Sequence, residues 1–168
     1  MKSDNRFILL DTFLLKVTKG YRHTNQLEIF RKENRGKFNF YNDDITDANF
    51  AKVTNKLIPG KTYTVKIFGI RSGKVIWAPD CLAFLRTQSA ILVGAQGISI
   101  VWQQAKEKFP KGKWMVSFDE EEALWRDADG NLRVPFVRRA SEGGFDFSAI
   151  NFDLGWDHVC CLLCFCDE

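Results

Sequence analysis

The chain has 168 residues, of which 45% are hydrophobic, 14% aromatic and 27% charged, and its formal net charge is +3. This hydrophobic and aromatic content excludes a disordered chain, and 12 glycines with 4 prolines exclude a collagen-like or linker-like composition. The length fits one globular domain over residues 1–168, with a core large enough to fold without a disulfide or a metal.

Strand patterns dominate the first half of the chain. The clearest is the period-two alternation of residues 61–70, which predicts a strand with one buried face. Apolar residues spaced for one helical face predict a helix from Thr46 or Asp47 to Leu57. The other segments with strand patterns are 6–17, 26–31, 37–41 and a hairpin return at 75–77.

Helices and strands alternate at the start of the second half. Pro79-Asp80 opens a helix that extends to about Arg86 or Ser89, and an amphipathic helix is predicted over 98–109. Strands predicted at 90–93 and 114–118 would flank that helix in a βαβ unit with parallel strands. The remaining strand patterns are 123–126, 132–138, 145–147 and 159–165.

Together these elements predict an α+β fold. We expect a single domain with a mixed, mostly antiparallel sheet, two to three helices and one βαβ unit. A subdivision is possible at residue 77, between a basic, β-rich half and a second half that contains the βαβ unit and hairpins.

Charge is divided unevenly between these halves. Residues 1–77 contain 15 Lys+Arg and 7 Asp+Glu, a balance of +8, whereas residues 78–168 contain 9 and 14, a balance of −5. Such asymmetry predicts an acidic partner for the first half. Alternatively, the acidic run 119–122 folds against the basic half and neutralises it internally.

The segment Arg35-Gly36-Lys37-Phe38-Asn39-Phe40-Tyr41 combines cations with aromatic residues. Over these seven residues it resembles the aromatic strand of RNA-recognition and cold-shock folds, where rings stack on bases and cations contact phosphates. An ordinary strand that buries Phe38 and Phe40 would show the same alternation. The nucleic-acid-binding residues predicted here are Lys32, Arg35, Lys37, Phe38, Phe40 and Tyr41.

The turn Gly94–Gly97 lies between a predicted strand and a predicted helix. Free backbone N–H groups at the start of that helix could hold an anion, helped by the helix dipole. The third glycine and the distant acid of a dinucleotide site do not appear in register, so a tight βα turn is the alternative. The residues of this predicted anion site are Gly94, Gly97, Ile98 and Ser99.

Two further motifs look like metal sites but lack the required ligands. The segment 127–131 has the aspartates of a calcium loop without its glycine and glutamate in position, and its Asp-Gly pair predicts a hairpin tip. Cys160, Cys161, Cys164 and Cys166 lie on one extended segment and are too far apart to meet at one ion. We therefore expect a buried central strand there, and no metal or cofactor.

The cysteine pattern also indicates a compartment. Five cysteines, four of them within seven residues, are poor material for a disulfide framework and favour a reducing, cytoplasmic environment. The apolar run near the amino terminus is broken at Asp11, which makes it too short for a signal peptide. No apolar stretch approaches the roughly 20 residues of a membrane span, so we expect no membrane association.

These observations lead to three hypotheses about function. The first is a non-enzymatic binding module whose basic, aromatic first half contacts an acidic partner, in particular single-stranded nucleic acid. The second is a protein-interaction domain, a regulator or inhibitor of another protein, that uses exposed tryptophans. The third is a small nucleotide- or anion-binding enzyme at Gly94–Gly97, although the two histidines, His23 and His158, lie in no catalytic motif.

Overall fold

A computed structural model describes residues 4–168 of the chain. The helices are α1 (Gln26–Asn34), α2 (Ala78–Thr87) and α3 (Gly94–Ala105). The strands are β1 (Phe7–Lys16), β2 (Phe40–Tyr41), β3 (Thr62–Ile70), β4 (Ile76–Trp77), β5 (Lys113–Val116), β6 (Trp125–Arg126), β7 (Leu132–Arg139), β8 (Phe145–Asn151), β9 (Gly155–Trp156) and β10 (Cys160–Asp167). Short 3-10 turns lie at His23–Asn25, Arg35–Lys37, Lys106–Lys108 and Glu121–Ala123.

Eight of the strands form one mixed sheet in the order β1-β3-β10-β5-β7-β8-β2, with β6 paired to β7. Neighbours are antiparallel except for the pairs β10–β5 and β2–β8. Strands β4 and β9 form a separate antiparallel pair. The predicted α+β fold with a mixed, mostly antiparallel sheet is thus confirmed. Strands from both sides of residue 77 lie in the same sheet.

Strand β10 lies inside the sheet, between β3 and β5, and separates two hydrophobic cores. Helices α1 and α3 cover one side, called here the α1/α3 face, and α2 with the β4–β9 pair covers the other, called the α2 face. Consecutive residues of β10 alternate between the two cores. Cys161, Leu163 and Phe165 enter the first, and Cys160, Leu162, Cys164 and Cys166 enter the second. The predicted buried central strand is confirmed, and all five cysteines are free.

The predicted strand at 26–31 was wrong, because these residues begin α1. Leu27, Phe30 and Asn34 are buried at spacings of three and four, which is the period of a helix and not that of a strand. Only Phe40–Tyr41 of the strand predicted at 37–41 is extended and paired, because a 3-10 turn precedes it.

The helix predicted between Thr46 and Leu57 was also wrong, since this segment consists of turns. Its apolar residues are nevertheless buried as predicted. Short polar side chains in the segment bond to nearby backbone instead of leaving it free for a helix: the Asn49 amide N–H donates to Thr46 Oγ1, and Asn49 Nδ2 donates to the Asp44 carbonyl.

The βαβ unit predicted over 90–118 does not form. Helix α3 starts at Gly94, four residues earlier than predicted, so the preceding residues lead directly into it. Ile91 makes only an isolated antiparallel bridge to Phe165, and the parallel neighbour of β5 is β10. Similarly, the strand at Ile76–Trp77 pairs with β9 and does not return along β3.

The other predicted elements have counterparts in the structure. Strands β1, β3, β5, β7, β8 and β10 and helix α2 lie where their patterns indicated, and α3 buries the predicted stripe before a 3-10 turn ends it. The segment Asp127–Asn131 is a hairpin tip between β6 and β7, in which Asp127 Oδ1 accepts the amide N–H groups of Asp129 and Asn131. No helix in the described part of the chain combines the length and apolar character needed to cross a membrane.

A carboxylate from the turn segment holds the start of α1. Asp47 Oδ1 lies 3.1 Å from the Leu27 amide nitrogen, and Oδ2 lies 2.9 Å from that of Glu28. These N–H groups have no partner within the helix, so Asp47 acts as an N-cap supplied from a distant part of the sequence. This contact joins the turn segment to α1.

We expect the substitution Asp47→Ala to lower the free energy of unfolding by about 1–2 kcal/mol, because two amide groups at a helix start lose their acceptor. Urea unfolding followed by circular dichroism measures the change. Asp43→Ala is the matched control, since Asp43 makes only exposed ion pairs with Arg31 and Arg35. Equal losses for the two variants would contradict the capping role.

Candidate nucleic-acid interface

The aromatic segment before and within β2 is divided between core and solvent. Phe38 and Tyr41 are 9% and 7% exposed and pack against Phe30 and Phe147 in the core of the α1/α3 face. Phe40 is 54% exposed. The Phe38 ring therefore lies in this core, whereas the Phe40 ring lies in solvent. Only Phe40 of the three predicted aromatic residues is available for stacking.

Phe40 begins a row of side chains that crosses four strands. It is in register with Asp146 of β8, Asp146 with Arg138 of β7, and Arg138 with Trp114 of β5. Arg138 Nη1 lies 3.1 Å from Asp146 Oδ2. At the far end, the Trp114 ring stacks on Phe136 with 4.6 Å between ring centroids. The row therefore has an aromatic side chain at each end and an ion pair between them.

This row lies on the α2 face of the sheet, at the end that α2 leaves uncovered. Helix α2 covers the opposite end, where Phe84 packs on Phe7 and Phe68. Beside the row, a shallow concavity of about 340 Å³ follows β7 and β8, and its lining includes Trp114, Phe136, Ser148, Ile150 and Leu154. We call the row and this concavity the open face.

Two predicted lysines near β2 keep their charge available. Arg31 and Arg35 both pair with Asp43, at 2.6 and 3.1 Å. Lys32 has no carboxylate partner among the described residues, and Lys37 donates only to the amide oxygen of Asn34, at 3.1 Å. Lys32 and Lys37 are both exposed, on the segment that leads into the sheet edge next to Phe40.

The acidic run at 119–122 does not neutralise the basic half as a block. Glu120 pairs at 2.5 Å with Arg86, which belongs to the second half. Asp119 is fully buried. Glu121 and Glu122 line a groove together with Lys52, the one cation of the first half in that groove. The surplus cations before residue 78 therefore stay largely outside the reach of this run.

The predicted anion site is closed within the core. Gly94, Gly97, Ile98 and Ser99 are all buried, and the Ser99 hydroxyl donates to the Gln96 carbonyl and accepts from Gln26 Nε2. The carboxylate of Asp119 lies directly against Gly94, in the space that a Cβ atom would need. A bound anion would have to displace this carboxylate.

Asp119 itself has no hydrogen-bond partner among the described residues for either carboxylate oxygen. Burial, and to a lesser extent the charge of Glu120, raises the pKa of Asp119 to about 8. The side chain is therefore protonated near neutral pH. A neutral carboxyl group therefore lies against Gly94 at the start of α3.

The residues Trp114, Phe136 and Arg138 were not predicted as part of a site. Their strands were predicted correctly, but alternation along a strand does not reveal which strands become neighbours. The signal that unites them is the pairing of β2, β8, β7 and β5. Comparisons with protein-family models, with curated proteins and with solved structures found no match for this chain.

The substitution Asp119→Asn tests the buried carboxyl group. The folded state keeps a proton that the unfolded state loses above about pH 4, so the stability of the natural chain falls as pH rises towards 8, by up to about 1.4 kcal/mol per pH unit. Asparagine has a similar volume and does not ionise, so the stability of the Asp119→Asn protein should not fall in this way between pH 5 and pH 8. Unfolding midpoints in urea at pH 5 and pH 8 provide the measurement, and identical pH dependence in both proteins would refute the assignment.

Truncation of Phe38 and of Phe40 should have very different effects on folding stability. We expect Phe38→Ala to cost about 3–5 kcal/mol of folding free energy, because it leaves a cavity among packed rings. We expect Phe40→Ala to change stability by less than about 0.5 kcal/mol, because its ring is largely in solvent. Thermal unfolding of both variants measures this, and a strongly destabilised Phe40→Ala protein would place that ring in the core.

Proposed function

We propose that the chain is a non-enzymatic binding module that contacts single-stranded nucleic acid through the open face and the lysines beside β2. The observation that carries this proposal is the row formed by Phe40, Asp146, Arg138 and Trp114 across four adjacent strands. Aromatic rings on an open sheet are general stacking platforms for bases, because every base has a π face.

The dimensions of the row support the proposal. Three steps between neighbouring strands, at about 4.8 Å each, separate Phe40 from Trp114 by about 14 Å. Sheets of this width stack two or three bases on their aromatic side chains in known RNA-binding modules. The shallow concavity beside Trp114 and Phe136 offers one base an apolar surface at the end of the row.

Charge supports an anionic partner of modest affinity. Arg138 is partly exposed and held in place by Asp146, so its remaining N–H groups can donate to a phosphate between the stacked bases. Lys37, three residues before Phe40, and Lys32, on α1, are both exposed and add positive charge to this part of the chain. The sequence pI of about 8.6 is below the value above 9 that is typical of dedicated nucleic-acid domains, so we expect binding that weakens steeply with salt.

We further propose that the protein works in the reducing environment of the cytoplasm. All five thiols are buried and free, and burial raises the pKa of Cys160 to about 11. Cys164 and Cys166 have sulfur atoms 3.5 Å apart without a bond between them. A chain that keeps such close thiols reduced fits a compartment with little disulfide formation.

A second candidate function is protein binding through the β4–β9 pair. Val75 and Trp77 are 65% and 55% exposed and lie over Gly155, where a Cβ atom would come within 2.7 Å of Val75 Cγ1. An exposed tryptophan beside a valine is a typical anchor for a protein partner. This surface supports the alternative hypothesis of a regulator or inhibitor of another protein, whose binding would depend little on salt.

The test is fluorescence anisotropy with labelled 15-residue oligomers of deoxythymidine and of uridine. We expect Phe40→Ala to weaken binding about 5- to 150-fold, because stacking of one base contributes about 1–3 kcal/mol. Lys37→Ala should reduce the slope of log affinity against log salt concentration by about one, because one phosphate contact is lost. Leu14→Ala is the control: Leu14 is also largely exposed but lies on β1, at the opposite edge of the sheet.

Loss of affinity in the Leu14→Ala protein as large as in Phe40→Ala would remove the open face from the interaction. Affinity that is absent at low salt, or that does not change with salt, would contradict nucleic-acid binding altogether. The β4–β9 surface would then be the remaining candidate.

A further inference from the structure

Six of the nine cations in residues 78–168 lie at one end of strands β5 and β7. Four of them are the lysines of residues 106–113, the connection from α3 to the first residue of β5, called here the lysine segment. The other two are Arg138 and Arg139, at the end of β7. With its one glutamate the lysine segment has a charge of +3, so the rest of residues 78–168, whose total is −5, has a charge of −8. A basic patch therefore lies within the acidic half of the chain.

Arg139 holds the backbone of the lysine segment in place. Its Nη1 donates to the carbonyl oxygens of Glu107 and Phe109, at 3.1 and 2.8 Å. Its guanidinium carbon lies 5.7 Å from the centre of the Phe145 ring, and its own carbonyl accepts the Gly112 N–H at 2.7 Å. Because these contacts fix the backbone, the segment does not have to be ordered when a ligand binds.

The tip of the segment is a tight turn that presents Lys111. The Lys113 N–H donates to the Pro110 carbonyl at 3.3 Å, and Gly112 has a φ of +73°, as the third residue of a type II turn requires. Lys111 is the second residue of this turn and is exposed. A Cβ atom on Gly112 would lie 3.4 Å from Ser141 Oγ, so the turn lies beside the connection between β7 and β8.

Two of the four lysines have ammonium groups that are not bound by acceptors of the chain. Lys108 pairs with a carboxylate of β1 at 3.3 Å, and Lys113 Nζ lies 2.5 Å from a carbonyl oxygen just before β10. Within residues 4–168 neither Lys106 nor Lys111 forms an ion pair, and both are exposed. Lys106 Nζ lies 5.2 Å from the centre of the Trp102 ring, which restrains the ammonium group without cancelling its charge.

The lysine segment begins where the open face ends. Lys113 is in register with Arg139 at the start of β5, and the next pair is Trp114 with Arg138. Lys111 lies three residues from Trp114, or about 10 Å along the chain at about 3.3 Å per residue. A nucleic-acid strand that stacks a base on Trp114 and continues past this end of β5 therefore passes the turn.

We infer that the lysine segment binds the phosphate backbone of a nucleic-acid strand where the strand leaves the open face, an inference that rests on the proposed function. Lys106 and Lys111 contact the phosphates, whereas Lys108 and Lys113 are already bound within the chain. The neighbouring turn carries one carboxylate, Glu142, so the two turns together remain net positive. Phosphate contacts of this kind carry no sequence information and depend strongly on salt.

The experiment compares the natural full chain with Lys106→Gln/Lys111→Gln, which removes both charges and keeps the apolar stems of the side chains. The first measurement is fluorescence anisotropy with a labelled 15-residue oligomer of deoxythymidine at several salt concentrations. We expect the slope of log affinity against log salt concentration to become less steep by about 1.4 to 2, because two phosphate contacts are lost. Lys16→Gln/Lys19→Gln is the matched control, since it removes two exposed lysines on and just after β1, at the opposite edge of the sheet.

Inorganic polyphosphate is the second probe, because it offers a chain of phosphates without bases. Calorimetry should show weaker polyphosphate binding for Lys106→Gln/Lys111→Gln than for the natural chain. The Phe40→Ala protein should bind polyphosphate as the natural chain does, since a stacking platform contributes only when bases are present.

An unchanged salt slope in Lys106→Gln/Lys111→Gln, or an equal change in the control variant, would overturn the inference. Oligomer binding that depends on Phe40 but not on these two lysines would leave the proposed function standing and remove the lysine segment from it. If the natural chain binds no oligomer, the proposed function fails and this inference fails with it.

Discussion

Complete burial of β10 on both faces is the constraint on which the rest of the structure depends. Every residue from Cys160 to Cys166 is buried, and their side chains alternate between the two cores. Cysteine suits such a strand because it is small, apolar in its protonated form and compatible with close layers on either side. Strand β3, from the first half, and β5, from the second, pair with its two edges, so neither core closes without it.

Two aspartates illustrate how position decides the chemistry of a carboxyl group in this fold. Asp47 reaches the start of α1 and accepts two amide N–H groups there. Asp119 lies at the start of α3 against Gly94, without a hydrogen bond, and burial keeps it protonated. Asp119 thus occupies the start of α3, where the glycine pattern predicted an anion site. Asp47 caps the start of α1, where the sequence shows no motif.

Much of the fold was predictable because its strongest signals are local. The alternation of β3, the apolar run of β10 and the stripe of α3 each follow from the period of one element. Residues 26–31 were assigned to a strand because six residues are too few to separate the period of a strand from that of a helix. The segment 46–57 was assigned to a helix because its apolar residues have helical spacing. These residues are buried as predicted, but the backbone forms turns.

The candidate site was harder to predict than the fold, since it depends on which strands become neighbours. Phe40 was identified because it lies in a basic, aromatic segment, whereas Trp114 and Arg138 join it only through the register of β8, β7 and β5. Such juxtapositions follow from tertiary structure and leave no local pattern in the sequence.

The two edges of the sheet differ in the backbone groups that they present. At β1, Asp11 Oδ1 accepts the Thr12 amide N–H, and Gln104 Nε2 donates to the Lys16 carbonyl, so polar side chains occupy backbone groups that an added strand would need. At β2 the edge is only two residues long, which is too short to template a strand but sufficient to present Phe40. The nucleic-acid binding that we propose for this side of the molecule therefore uses side chains of the open face and not extension of the sheet.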